Sequence, residues 1–139
     1  MAGITAGFDK DGAIRVNTLI KGTCSNVEYG AILDSGFNGD LAIPIDIAVE
    51  IGLELGGVTT IVLADGSTEE YRLFLCNVMI GTITQAASVL VIGDDVLIGT
   101  GLMEPFDVCF RKATSEVIIE PQGSYAGFVG MMNNMIRGE

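Results

Sequence analysis

Two Asp-Gly dipeptides, Asp11-Gly12 and Asp65-Gly66, each sit between apolar-rich runs, and this limits the fold more than any other feature of the chain. Asp-Gly reaches positive φ easily and closes a two-stranded turn, so each dipeptide predicts a β-hairpin. The first joins residues 2–8 to 13–21 across Asp9-Lys10-Asp11-Gly12. The second joins 57–63 to 68–76. Residues 27–33, 41–43, 77–83, 86–92, 96–98, 106–110 and 116–119 read as further short strands. Helical periodicity is confined to one place. Pro44 suits a first helical position, and Ile45, Ala48, Val49 and Leu53 form an apolar stripe that ends near Gly52. The sequence therefore predicts an all-β domain with one short helix near 44–52 and a helical turn near 100–105.

The length of 139 residues fits one domain, spanning 1–120, with 121–139 as a C-terminal tail. A chain of this size buries roughly 68–70% of its unfolded surface, so no disulfide or metal is needed to hold the core. Cys24, Cys76 and Cys109 are odd in number, widely spaced and form no CxxC pair, as expected of core thiols in a reducing compartment. The start MAGITAGFDKDG lacks the basic residues and apolar core of a signal peptide. No apolar stretch reaches the roughly 20 residues that span a bilayer. These features predict a cytoplasmic protein.

Charge and composition exclude several functions. Seven basic against 18 acidic residues give a net charge of −11. Phosphate backbones require a basic face, and the longest basic run is Arg111-Lys112, so neither nucleic acid nor an anionic membrane is an expected partner. The chain has no histidine, which removes Ser-His-Asp and Cys-His catalysis and every His-ligated zinc site. Asp9-x-Asp11-Gly12 is similar to the middle of a calcium loop, but Thr18 stands where a bidentate Glu is needed. Gly99-x-Gly101 lacks the third glycine of a dinucleotide loop, since Glu104 occupies that place. No cofactor and no metal are expected. Asp94-Asp95 reads as a solvated loop.

What remains is chemistry on carboxylates, hydroxyls, thiols or amines. Asp34-Ser35-Gly36 follows directly on the apolar run Ala31-Ile32-Leu33. An acid at the end of a buried strand is unfavourable when ionised and unpaired. Gly36 lets the backbone turn and can offer its N–H to the carboxylate, and the Ser35 hydroxyl can lock the turn. Further along come Leu63-Ala64-Asp65-Gly66-Ser67 in a hairpin and Val96-Leu97-Ile98-Gly99-Thr100-Gly101-Leu102.

In this order the three segments resemble those of retropepsins and, more closely, of the small bacterial clan AA aspartic peptidases. The likeness spans roughly residues 3–120. Phe37-x-Gly39, Leu41-x-x-Pro44 and the Ala-Asp-Gly hairpin tip all suit the bacterial group. The resemblance implies a retropepsin-like acid protease lobe, a closed, barrel-like β fold. It places Asp34 on the catalytic aspartate and Ser35 on the hydroxyl position that cross-links two active-site loops. Gly36 falls on the backbone donor to the carboxylate. Ala64, Asp65 and Gly66 fall on the tip of a substrate-covering flap. Leu97, Ile98 and Gly99 fall on the apolar-apolar-Gly segment beneath the active-site loop. Ser in place of Thr and a flap poorer in glycine are the departures.

Aspartic peptidases use two carboxylates that share a proton, and one Asp-Ser/Thr-Gly occurs in this chain. The expected form is a homodimer with two Asp34 residues at the two-fold axis, acting as an endopeptidase on peptide or protein substrates. A dimeric peptide-binding module of the same fold, with little or no hydrolysis, is the alternative. Residues 121–139, rich in glycine and methionine, lie beyond the likeness. A solvated tail, strand exchange at a dimer interface and occupation of the cleft all suit their composition.

Overall fold

A computed structural model describes residues 4–122. The strands are β1 (Ala6–Phe8), β2 (Ile14–Lys21), β3 (Asn26–Leu33), β4 (Leu41–Ile43), β5 (Glu54–Val62), β6 (Thr68–Ile80), β7 (Ile83–Val91), β8 (Leu97–Ile98), β9 (Phe106–Arg111) and β10 (Glu116–Pro121). The helix α1 (Ile45–Ile51) follows β4, and a 3-10 turn (Thr100–Met103) follows β8. Eight strands hydrogen-bond in the order β1-β2-β3-β8-β4-β7-β6-β5, and β2 also pairs with β6 from Leu19↔Met79 to Lys21↔Asn77. That second pairing returns the ladder to its origin, so β2, β3, β8, β4, β7 and β6 form a closed circuit of hydrogen-bonded strands. β9 and β10 make a separate two-stranded sheet.

Alternation along the strands sends one face of each into the enclosed core. Val16 and Ile20 on β2 meet Leu41 and Ile43 of β4, Val78 and Ile80 of β6, Val89 of β7, and Val96 and Ile98 beside and on β8. Each such side chain contributes about 1.5–3 kcal/mol by leaving water. Thr18 shares the inward face of β2 and is 1% exposed. Its hydroxyl donates to the Tyr29 carbonyl at 2.8 Å, which satisfies the buried oxygen.

Both Asp-Gly hairpins form where the sequence places them. At the first, Asp9 N–H donates to the Ala13 carbonyl at 2.8 Å, and Asp9 Oδ1 accepts the amides of Asp11 and Ala13. The boundary drawn at residue 76 does not exist. β6 runs unbroken from Thr68 to Ile80 and turns through Gly81-Thr82 into β7, with Ile80 opposite Ile83. Asn77 lowers the local hydropathy but not the alternation: it is exposed between half-buried Cys76 and buried Val78.

The helix also buries a different face from the stripe read in the sequence. Ala48 and Ile51 are buried, whereas Ile45 is 69% and Val49 76% exposed. Ile45, Ile47, Ala48, Val49 and Ile51 make this helix apolar nearly all round, so periodicity cannot select the inner face. Tertiary hydrogen bonds select it instead. The carbonyls of Ile51 and Gly52 accept the amides of Cys24 and Thr23, docking the C-terminal end of the helix on the loop before β3. The cysteines differ from expectation too: Cys24 and Cys109 are exposed free thiols, and only Cys76 is partly buried. Burial, with the Asp40 carboxylate nearby, pushes the Cys76 thiol up to about 11. Among the described residues no helix is long and apolar enough to cross a membrane.

Candidate active site

β3 delivers Asp34 to the rim of the closed sheet. β8 lies between β3 and β4, parallel to the first and antiparallel to the second, and carries the β3 ladder up to the aspartate. Ile32 N–H donates to the Val96 carbonyl at 2.8 Å, and Asp34 N–H donates to the Ile98 carbonyl at 2.9 Å. The chain then turns, with Phe37 N–H donating to the Asp34 carbonyl at 3.1 Å. Gly36 N–H donates to Asp34 Oδ1 at 2.9 Å, a bond that orients the half-buried carboxylate.

The loop after Asp34 is held by three successive amides. Gly99 N–H donates to the Asp40 carbonyl, Thr100 N–H to that of Phe37 and Gly101 N–H to that of Gly39, at 2.9, 2.9 and 3.1 Å. This is the physical content of the apolar-apolar-Gly segment. Leu97 pairs with Ile32, Ile98 fills the core, and Gly99 permits the close approach, because a Cβ there would fall on the Gly39 carbonyl. Ser35 is exposed beside Asp34, and among the described residues its hydroxyl has no hydrogen-bond partner.

Facing this loop is the hairpin of β5 and β6. Its turn is closed by Leu63 N–H donating to the Ser67 carbonyl and Gly66 N–H donating to that of Leu63. Gly66 adopts φ 85°, the left-handed position such a turn reserves for glycine. The Ser67 hydroxyl and amide both donate to Asp65 Oδ1, and these bonds hold the Asp65 carboxyl below the usual carboxylate range. Ala64, Asp65 and Gly66 are all exposed at the tip.

A cavity of about 650 Å³ separates the hairpin from the Asp34 loop. Asp34, Phe37 and Asp40 contribute to one wall and Thr59 and Ile61 of β5 to the other, with Leu97 also in the lining. The structure thus brings Asp34, Gly36 and Leu97 together around one cleft, over Ile98 and Gly99. Ala64, Asp65 and Gly66 do not line it; the hairpin contributes Thr59–Ile61 instead. Sequence reading missed those residues and Asp40. A bulge between Leu55 and Gly57 resets the register of β5, so Gly57, Thr59 and Ile61 face inward and Val58 and Val62 outward. Asp40 signals itself only by standing directly before β4, whose three residues are all buried. Its Oδ2 accepts the Ser88 amide at 2.9 Å.

Asp95 is also more than a solvated acid. Its Oδ1 accepts Arg15 Nη1 at 3.1 Å, Tyr29 Oη at 3.0 Å and the Val96 amide at 2.8 Å, while Oδ2 accepts Arg15 Nη2 at 2.9 Å. Arg15 Nε bonds Asp9 Oδ2 at 3.0 Å. The guanidinium holds both carboxyls below the usual range. Burial, followed by the neighbouring Asp95, raises the Tyr29 phenol.

No protein-family model and no curated protein matches the sequence. Solved structures do match. A retropepsin-like aspartic protease from Rickettsia conorii superposes with a TM-score of 0.53 at 18% identity, over 86% of this chain and 93% of that one. The protease of simian foamy virus (mac) matches with a TM-score of 0.46 at 18% identity, over 63% of this chain and 88% of that one. The first of these likenesses, together with the mostly β architecture, gives this chain the retropepsin-like fold of an aspartic protease. At this identity the likeness is one of fold.

Proposed function

We propose that this chain is an aspartic endopeptidase that acts as a homodimer. The observation that carries the reading is Asp34: a carboxylate oriented by Gly36 N–H, on a loop pinned by residues 98–101, lining a cleft of about 650 Å³. One chain supplies one such aspartate, so the second comes from a copy related by a two-fold axis. An exposed Ser35 hydroxyl beside Asp34, unpartnered among the described residues, supports this reading, in which it bonds across that axis.

The two Asp34 carboxyls then share one proton, because like charges at close range cannot both ionise, the behaviour for which aspartic protease dyads as a class are known. The ionised one takes a proton from water, and the water oxygen attacks the scissile carbonyl carbon. The protonated one donates to the carbonyl oxygen, giving a tetrahedral diol. The Asp34 that took the water proton then gives it to the amide nitrogen while the other takes a proton from a diol hydroxyl, so the C–N bond breaks, a carboxylic acid and an amine form, and the pair is left with its one shared proton. Three free thiols, two of them exposed, suit a reducing compartment such as the cytosol.

Cleavage of a quenched-fluorescent peptide library tests this reading. Asp34→Asn keeps an oxygen to accept the Gly36 amide but cannot act as base, so turnover falls by about 10²–10⁴-fold or more with the fold intact. Equal turnover by wild type and Asp34→Asn rejects the assignment.

A further inference from the structure

We propose that Asp40 makes one subsite of this cleft selective for a cationic side chain, lysine or arginine. The inference rests on the peptide-cleft reading above and adds to it the class of substrate. Among the described residues Asp34 and Asp40 are the only charged ones lining the cleft, and no lysine or arginine lines it. Much of the remaining surface is apolar, including Phe37, Leu73, Leu90 and Leu97.

Among the described residues Asp40 receives one side-chain hydrogen bond, from the Ser88 amide to Oδ2. A neutral oxygen from Asn, Ser or Thr could satisfy that amide, so the local structure does not require the charge. Oδ1 takes no donor among the described residues. Asp107 Oδ2 is the one fully buried side-chain oxygen among them without a partner, so Oδ1 of Asp40 keeps some contact with solvent. No ion pair among the described residues engages Asp40 either. The combination is an uncompensated negative charge above apolar walls. It fits a long cationic side chain, whose methylenes pack on those walls while its head reaches the carboxylate.

The test must separate this site from the general attraction of a chain carrying −11 for any cation. Fluorescein-labelled peptides, identical except for lysine or norleucine scanned through successive positions, are titrated by anisotropy against full-length protein carrying Asp34→Asn. Lysine is expected to bind about tenfold tighter than norleucine at one register position. Adding Asp40→Asn removes that preference. Adding Glu116→Gln, which alters net charge equally at an exposed position far along the chain, leaves it. If peptides bind but lysine and norleucine do so equally, or if the preference survives Asp40→Asn, the subsite is refuted while the cleft reading stands. If no peptide binds, both fall. Should Asp40→Asn fail to fold, salt decides: a lysine preference that holds unchanged from about 0.05 to 0.5 M salt is not electrostatic and overturns the proposal.

Discussion

Replacing Asp95 by asparagine removes a charge at the point where β2, β3 and β8 meet. Asp95 accepts two bonds from Arg15, one from the Tyr29 hydroxyl and one from the Val96 amide. Asparagine can keep the three bonds made to Oδ1, from Arg15 Nη1, Tyr29 and Val96, through its oxygen. Its NH2 group, however, must face an Arg15 nitrogen, donor against donor. The Arg15 and Asp95 side chains are 34% and 32% exposed, so solvent screens the pair, and the loss is on the order of 1–2 kcal/mol. For a domain of this size that is a fall in Tm of about 3–8 °C at neutral pH. The sign of the pH dependence follows from the direction of the shift. Arg15, the largest influence, depresses the folded-state pKa of Asp95, so the stabilisation is present above the unfolded carboxylate value of about 3.9 and is lost as pH falls through the folded value. Thermal melting of wild type and Asp95→Asn from pH 8 to pH 2.5 should show a constant gap down to about pH 5 and a gap that closes below about pH 4. Asp9, depressed by the same guanidinium, titrates in parallel in both proteins. No gap at pH 7, or the same gap at pH 3 as at pH 7, refutes this reasoning.

Other substitutions test the support of the site. Gly99→Ala drives a Cβ into the Gly39 carbonyl, so stability should fall by about 1–3 kcal/mol and peptide turnover should drop with it; normal turnover would show that the loop does not depend on this approach. Ile98→Ala, at a fully buried position, should lower stability by about 2–5 kcal/mol in denaturant unfolding. Ser35→Ala should weaken self-association by about tenfold or more in sedimentation, with Ser35→Thr restoring it; an unchanged dissociation constant would remove Ser35 from the interface.

What could be read in the sequence was what depends on neighbours along the chain. Asp11-Gly12 and Asp65-Gly66 fix their turns locally, so both hairpins were legible. The Asp34-Ser35-Gly36 turn and its Gly36 bond lie within three residues, and the later Leu97-Ile98-Gly99 was legible through its order in the pattern. Long-range choices were not. Whether Ile45 or Ile51 of α1 faces inward is set by the loop at 23–25. The role of Asp95 depends on Arg15, 80 residues away, and that of Asp40 on Ser88, 48 residues away. The inward wall of the hairpin depends on a one-residue bulge at Gly56, and the Gly56-Gly57 pair was a local signal for it that the sequence reading did not use. The composition of residues 121–139 left three roles open, and residues 123–139 lie outside those described.

The central claim is that two Asp34 residues from two chains form one site. Mixing wild-type and Asp34→Asn chains in equal amounts, allowing subunits to exchange and measuring peptide turnover tests it directly. If both aspartates are needed, only wild-type pairs are active, and turnover falls to about a quarter of that of wild type alone at the same total concentration. Turnover of about a half, the value for chains that each act with their own Asp34, would contradict the account.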